Sequence, residues 1–438
     1  MSDRNRRVDA AVESGRESAE AFLSQLVAAP TVLGHERPGQ LLIARRLRAM
    51  GLTPVLRDID VEQMRGVPGW APVMRSYRGR PNVTATMAGK EGAERAARAE
   101  RAARAEAGSV NDSAAAASPR NLVLNGHIDV VSPEPASWWS RNPWSGHVSG
   151  YVDGRRLYGR GAWDMKGGLV AALWALEAVR AAQVPLRGDV RFESVIEEEC
   201  TGNGAVAARF GAPHADAAVI PECTGLEAFV STPPVLWVRV TVRGRPAYVG
   251  RPGAYVNAVE RATELIARLR EIAAGPAGVG ATLSVGTIDG GDWPSTVPLE
   301  CSFTCRVSTP SDWTVERAKR EVEAWVCAAA QPDPWLADAA NTPTIDYPGF
   351  QAEAWSVDRS SPIVTALADA HSTVIGGSLS TIHFPGTTDA RAFGARGEPA
   401  IVYGPSGGNQ HAPDEYVDLD SVLLVARVLA RLIVEWCA

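Results

Sequence analysis

Apolar residues along this chain switch repeatedly between helical and strand-like spacing. Residues 8–31 place Ala11, Ala19, Phe22, Leu23, Leu26 and Val27 at helical intervals and stop near Pro30. A second helix is expected over 39–50, ended by Gly51. Residues 55–61 and 82–87 are strand-like, and Leu122-Val123-Leu124 is an unbroken apolar run of the buried-strand kind. A helix over 165–182, a strand over 189–196 and a short apolar run over 216–220 follow. After Pro233-Pro234 the order becomes strand 235–242, helix 255–272, strands 283–288 and 297–307, and helix 315–330. A helix over 361–373, a strand over 400–403 and a closing helix over 418–436 complete the pattern.

Strands alternating with helices predict a three-layer α/β domain, and the proline-bounded block predicts an inserted α+β domain. The expected division is 1–232 with 349–438 as one discontinuous unit, and 233–348 as the insertion. Residues 90–119 break the pattern with a near-repeat of Ala, Glu and Arg that offers no apolar face larger than alanine. They read as a solvated loop insertion.

Composition narrows the function classes. The chain has 438 residues, 45% hydrophobic and 21% charged, with net charge −6. No basic block exists to track a phosphate backbone, so nucleic acid is not an expected partner. No run of about 18 apolar residues exists to span a membrane. The charged N-terminal stretch lacks an apolar signal core, and the six cysteines form no CxxC pair. A cytoplasmic protein with reduced thiols is expected.

The chemistry concentrates at the ends of predicted elements. Gly126-His127-Ile128-Asp129 ends one strand, and Asp164 precedes a helix in Gly-Arg-Gly-Ala-Trp-Asp-Met-Lys-Gly-Gly. Glu197-Glu198-Glu199 follows another strand, Glu222 caps the run 216–220, and His411 lies in His-Ala-Pro-Asp-Glu. Open α/β sheets build sites beyond the carboxyl ends of their strands. Two imidazoles and three carboxylates suffice for two metals that share one carboxylate. Three adjacent glutamates would repel one another unless a cation neutralised them. The other histidines (35, 147, 214, 371 and 383) have no such company and read as surface or core residues. Gly202-Asn-Gly-Ala superficially fits a dinucleotide fingerprint, but the glutamates before it oppose a pyrophosphate. No Gly-x-Ser-x-Gly elbow is present. The Trp138-Trp139 and Trp144 group reads as packing rather than a substrate wall.

These motifs, in this order, resemble the M20 metallopeptidases, a group that includes acetylornithine deacetylase, succinyl-diaminopimelate desuccinylase, aminoacylase and glutamate carboxypeptidase. The resemblance covers the chain outside the Ala/Arg insertion. It implies a di-zinc aminopeptidase-like catalytic domain with an inserted lid that commonly mediates dimerisation. It implies that His127, Asp164 and Glu222 hold one divalent ion, and Glu199, His411 and the same Asp164 the second. Zinc is the expected metal, with cobalt or manganese as alternatives. Asp129 would orient the His127 imidazole, and Glu198 would act as general base on a bridging hydroxide. Two departures stand out. Tyr248 replaces a histidine that stabilises the oxyanion in relatives, and Ser295 replaces a common asparagine. Asn257 matches the lid's asparagine, and Arg306 approximately matches an arginine that clamps a substrate carboxylate. The resemblance implies hydrolysis of the amide of an N-acyl amino acid, a small molecule bearing a carboxylate. The alternatives are a carboxypeptidase or dipeptidase on the same scaffold, an amidohydrolase or deaminase of a non-peptide substrate, and a silent binding protein that kept the fold.

Overall fold

The computed structural model describes residues 2–90, 120–133, 135–149, 154–248, 250, 253, 255–278 and 280–438. Beyond Lys90, the predicted Ala/Arg insertion lies outside the described residues.

The larger sheet has nine strands among the described residues. Their order is Val55–Arg57, Asn82–Met87, Val190–Val195, Leu122–His127, Ala218–Ile220, Ala400–Tyr403, Ala228–Thr232 and Trp355–Ser356, with Thr381–His383 also paired to Ala228–Thr232. The four strands at its centre, from Val190–Val195 to Ala400–Tyr403, run parallel. Every residue of Leu122–His127 is buried, which is why that sequence shows no polar alternation. The helices Gly168–Ala181 and Leu419–Cys437 pack together in the core beside this sheet. Because the central strands are parallel, their carboxyl ends share one edge. That edge carries His127, the three glutamates after Val195, and Glu222 after Ile220.

Among the described residues a second sheet has five strands and is wholly antiparallel: Thr282–Gly290, Glu300–Ser308, Val235–Arg243 and Thr344–Asp346, with Gln351–Ala352 also on Val235–Arg243. Alternate residues of Val235–Arg243 and Glu300–Ser308 pack against the helices Ala258–Ala274 and Val315–Ala330 in a separate apolar core. A small four-stranded sheet pairs Tyr416–Asp418 with Arg156–Tyr158. It brings the loop holding His411 against the loop before Asp164.

Several expected elements shift. The helix expected over 8–31 is two helices, Asp3–Ser14 and Arg16–Ala28. A side chain at Gly15 would lie 2.8 Å from the Trp174 indole nitrogen, which donates to the Val12 carbonyl across that junction. The strand from 55 ends at Arg57, and Asp60 caps a short helix, Val61–Met64. The helix expected from 165 becomes regular only at Gly168. A Cβ on Gly168 would sit 1.5 Å from the Pro221 carbonyl, so only glycine lets this helix approach the Glu222 turn. The Gly202-Asn-Gly-Ala run has a packing reason: a Cβ on Gly204 would sit 1.9 Å from the Ile196 carbonyl.

Candidate metal centre

His127 is fully buried at the end of its strand. Its Nδ1 lies 2.9 Å from the Asp129 carbonyl, which can only accept, so Nδ1 carries the proton. The other nitrogen, Nε2, belongs to a ring on which burial disfavours charge, yet the carboxylates of Glu222 and Asp164 hold its pKa well above the ordinary value. Nε2 faces Asp164 Oδ1 at 3.3 Å and Glu222 Oε1 at 3.7 Å and has no hydrogen-bond partner. A ring nitrogen held against two buried carboxylate oxygens calls for positive charge there, from a proton on the ring or from a metal ion. His411 repeats the arrangement: its Nε2 lies 3.1 Å from Asp164 Oδ2 and 3.2 Å from Glu199 Oε2. Asp164 therefore stands between the two imidazoles, with one oxygen toward each.

The donors fit divalent ions. One atom each from His127, Asp164 and Glu199, from His127, Glu198 and Glu222, and from Asp164, Glu222 and Cys223 falls within a 4.8 Å group. Glu199 Oε1 is a second buried atom without a partner. Imidazole nitrogen with carboxylate oxygen suits zinc, cobalt or manganese. Burial disfavours charge on His411, yet Glu199 and Asp164 outweigh it and push its pKa up to about 11. Burial also pushes the Glu198 carboxyl well above its ordinary range, reinforced by Glu222, Asp389 and Glu199 despite His127. Both shifts describe a site short of positive charge.

The glutamate triplet divides. Glu197 turns away into a buried network with Arg80 at 2.7 Å, the Tyr77 hydroxyl at 2.7 Å and Thr201. Glu198 and Glu199 line the cleft. Asp129 touches both the imidazole and the glutamate turn. Its carboxylate accepts from the backbone amides of Glu198 and Glu199, at 3.2 and 3.1 Å. Its backbone carbonyl holds the imidazole; the carboxylate lies 3.7 Å from that ring. Asp129 thus couples His127 to the glutamate turn.

On the lid side, the three sequence candidates part company. Arg306 lines the cleft, donates to the Pro385 carbonyl at 3.4 Å, and has its pKa lowered by burial. The structure does not bring Asn257 there: its side chain caps the helix Ala258–Ala274 by accepting from the Val259 and Glu260 amides. Tyr248 is 72% exposed, bridged to Thr296, and outside the cleft lining. Trp139 is buried with its indole donating to the Pro133 carbonyl, and Trp138 is exposed; neither lines the cleft.

Some site residues escaped the sequence reading. Buried Glu415 pairs with Arg160 and accepts from the amides of Gly161, Trp163 and Asp164, which fixes the turn that presents Asp164. Its signal was the last letter of His-Ala-Pro-Asp-Glu. Gln410 donates to Asp164 Oδ2 at 2.8 Å. Asp389 is buried beside the cleft with neither oxygen hydrogen-bonded, and burial raises its pKa to about 7. Its signal was the Gly-Thr-Thr-Asp-Ala-Arg run at 386–391.

Comparison with known proteins now decides the lineage. The family model described as peptidase family M20/M25/M40 matches residues 123–435. The chain belongs to that family. It is 27% identical over 346 residues to an N-formyl-4-amino-5-aminomethyl-2-methylpyrimidine deformylase of Halalkalibacterium halodurans, covering 73% of this chain and 80% of the relative. It is 30% identical over 330 residues to a succinyl-diaminopimelate desuccinylase of Methylorubrum populi, covering 71% and 82%. Its fold is that of a dinuclear metal-binding M20 peptidase of Bacillus subtilis, with TM-score 0.59, 15% identity, and 97% and 98% of the two chains covered. This M20 chain is a hydrolase of amide bonds. No helix among its described residues is long and apolar enough to cross a membrane.

Proposed function

We propose that this M20 enzyme removes a small acyl group from the nitrogen of a small-molecule amine, using two divalent cations. His127, Asp164 and Glu222 would hold one cation, and Glu199, His411 and Asp164 the other, with zinc as the proposed ion. Such a pair supplies Lewis acidity at the amide carbonyl and lowers the pKa of a water. The chain's residues do the rest. Glu198, buried beside the cations' ligands, takes a proton from the attacking water on a carboxylate oxygen and returns it to the departing nitrogen. Water's oxygen ends on the acyl carbon, the C–N bond breaks, and the amine leaves. Asp129 and Glu415 hold the ligand-bearing turns in register through backbone amides. Arg306 offers its guanidinium to an acceptor or carboxylate on the substrate.

The observation that carries this reading is His127 Nε2, buried, unpartnered and aimed at two carboxylates. The relatives' names bracket the acyl group between formyl and succinyl. The test is amine release from N-formyl, N-acetyl and N-succinyl amines and from dipeptides, before and after chelation and after adding back Zn²⁺, Co²⁺ or Mn²⁺. Turnover that survives complete metal removal sinks the proposal.

The division into a catalytic unit (1–232 and 349–438) and a lid (233–348) belongs to the same proposal. The separate apolar core over Leu236–Leu336 supports it. Homodimerisation through the lid is proposed on its exposed apolar residues Tyr248, Ile288, Trp293 and Leu299. Sedimentation equilibrium tests it; a monomer at micromolar concentration sinks it.

A further inference from the structure

The cleft that holds the acidic cluster is also lined by aromatic rings. Phe229 and Phe384 stack with ring centroids 4.5 Å apart and planes 7° from parallel. Trp237 and Phe350 meet edge to face, at 5.5 Å and 86°. All four line the same cavity of about 380 Å³ as Glu198 and His411. The two pairs come from different places. Phe229 lies on Ala228–Thr232, and Phe384 directly follows its parallel partner Thr381–His383. The Phe384 amide donates to the Ser231 carbonyl, which prolongs that pairing and fixes the stack. Trp237 lies on Val235–Arg243 in the smaller sheet, directly across from Arg306 in the strand register.

This lining is selective by what it omits. Among the described residues, Val131 is its only aliphatic lining residue, and no Leu, Ile or Met faces the cavity. Phe384 and Trp237 are half-buried, so part of each ring is left for a ligand. Arg306, across from Trp237 and donating to the Pro385 carbonyl beside Phe384, has no carboxylate at ion-pair distance among the described residues, and a guanidinium stacks on rings while donating in its plane.

We infer that the substrate carries a planar aromatic or heteroaromatic ring a short link away from the scissile amide. The ring seats against Phe384 and Trp237, and Arg306 donates to an acceptor on it. This rests on the amide-hydrolase reading above and adds the class of group recognised. The ring sits on either the amine or the acyl side, and matched substrates tell the two apart.

The experiment uses the metal-loaded enzyme and two pairs: N-formylbenzylamine against N-formylcyclohexylmethylamine, and N-benzoylglycine against N-(cyclohexylcarbonyl)glycine. In one pair the ring compound is expected to have a kcat/KM about tenfold higher, the scale of one or two aromatic contacts. Phe384→Leu, which keeps an apolar side chain of similar reach, brings that ratio to within about threefold. Trp237→Leu is the second variant should Phe384→Leu fold poorly. Calorimetry with the amine and acid products gives a readout independent of turnover: benzylamine or benzoate binds more tightly than its saturated analogue. Equal binding and equal turnover within both pairs overturns the inference. Tighter binding of the ring products with no hydrolysis of any amide upholds the ring site and overturns the hydrolase reading instead.

Discussion

Two of the buried groups of carboxylates in this molecule are neutralised in opposite ways. Glu193 and Glu398 flank Arg209, whose guanidinium reaches Glu193 at 3.0 Å and Glu398 at 3.0 Å. Arg191 and Arg396 add a further contact to each carboxylate. Around Asp164, by contrast, the ion-pair contacts among the described residues come from His127 and His411 alone. Burial is alike in the two groups; the counter-charge is not. Removing ions from water costs several kcal/mol each, so a chain that buries acids for structure supplies a guanidinium with them. The group around Asp164 has two imidazoles and no guanidinium or ammonium at ion-pair distance among the described residues. The comparison separates acids that hold the fold from acids that the proposed cations would neutralise.

The largest effect expected concerns the one acid in the second group assigned a proton to move. Glu198→Gln keeps the shape and removes the base. Turnover should fall by about 10²–10⁴-fold, with bound metal, measured by plasma mass spectrometry, near the wild-type level. Wild-type rates would place the base elsewhere.

Stability tests the comparison directly. Arg209→Met leaves Glu193 and Glu398 buried without their shared cation and should cost about 3–5 kcal/mol in urea unfolding. Glu222→Gln, measured on metal-free protein, should act the other way. It removes one of several mutually repelling carboxylates and should raise stability by about 1 kcal/mol, the scale of one pKa unit. In the presence of metal the same substitution should lower stability, because a ligand is lost. If Glu222→Gln destabilises the metal-free chain as Arg209→Met does, the two groups are alike and the contrast fails.

A smaller effect lies in the acid dependence of the structural group. Burial works against the Glu398 charge, but Arg209, the Ala215 amide and Arg396 outweigh it and hold its pKa below the ordinary 4.5. A carboxyl depressed in the folded state stabilises fully above its unfolded pKa. That contribution is lost as pH falls through the lowered folded value. Stability should therefore decline from about pH 4.5 downward, and Glu398→Gln should flatten that part of the curve while lowering stability at pH 7. A curve of unchanged steepness would remove Glu398 from the account.

The contrast also explains what the sequence made legible. His127, Asp164, Glu199, Glu222 and His411 stand at the ends of strands or in turns punctuated by glycine, so their residue types and spacing carry the information. The parallel centre of the sheet follows from the apolar runs. The aromatic wall does not: Phe229, Trp237, Phe350 and Phe384 are ordinary apolar letters until two sheets bring them together. Asn257 misled for the opposite reason. An asparagine before a helix is first of all a cap, and here both parts of its amide are occupied locally, the nitrogen donating to Glu260. Gly15 split a helix because of Trp174, a partner more than 150 residues away in sequence, and no local pattern contains that.

The smallest effect is expected at Tyr248, and it sharpens a contrast within the lid itself. Arg306 and Tyr248 were both candidates for touching substrate. Arg306 projects from Glu300–Ser308 into the cleft, whereas Tyr248 is 72% exposed and held by its backbone to Thr296. A phenol that points to solvent stabilises no oxyanion, so Tyr248→Phe should leave kcat/KM within about twofold, under half a kcal/mol of barrier. Arg306→Met should raise KM for an acceptor-bearing substrate far more than for one without it. A loss of tenfold or more in Tyr248→Phe would mean the working enzyme carries that hydroxyl into the cleft, by lid closure or from a second subunit. Repeating the assay across a hundredfold range of enzyme concentration separates these routes, because only the second is lost on dilution.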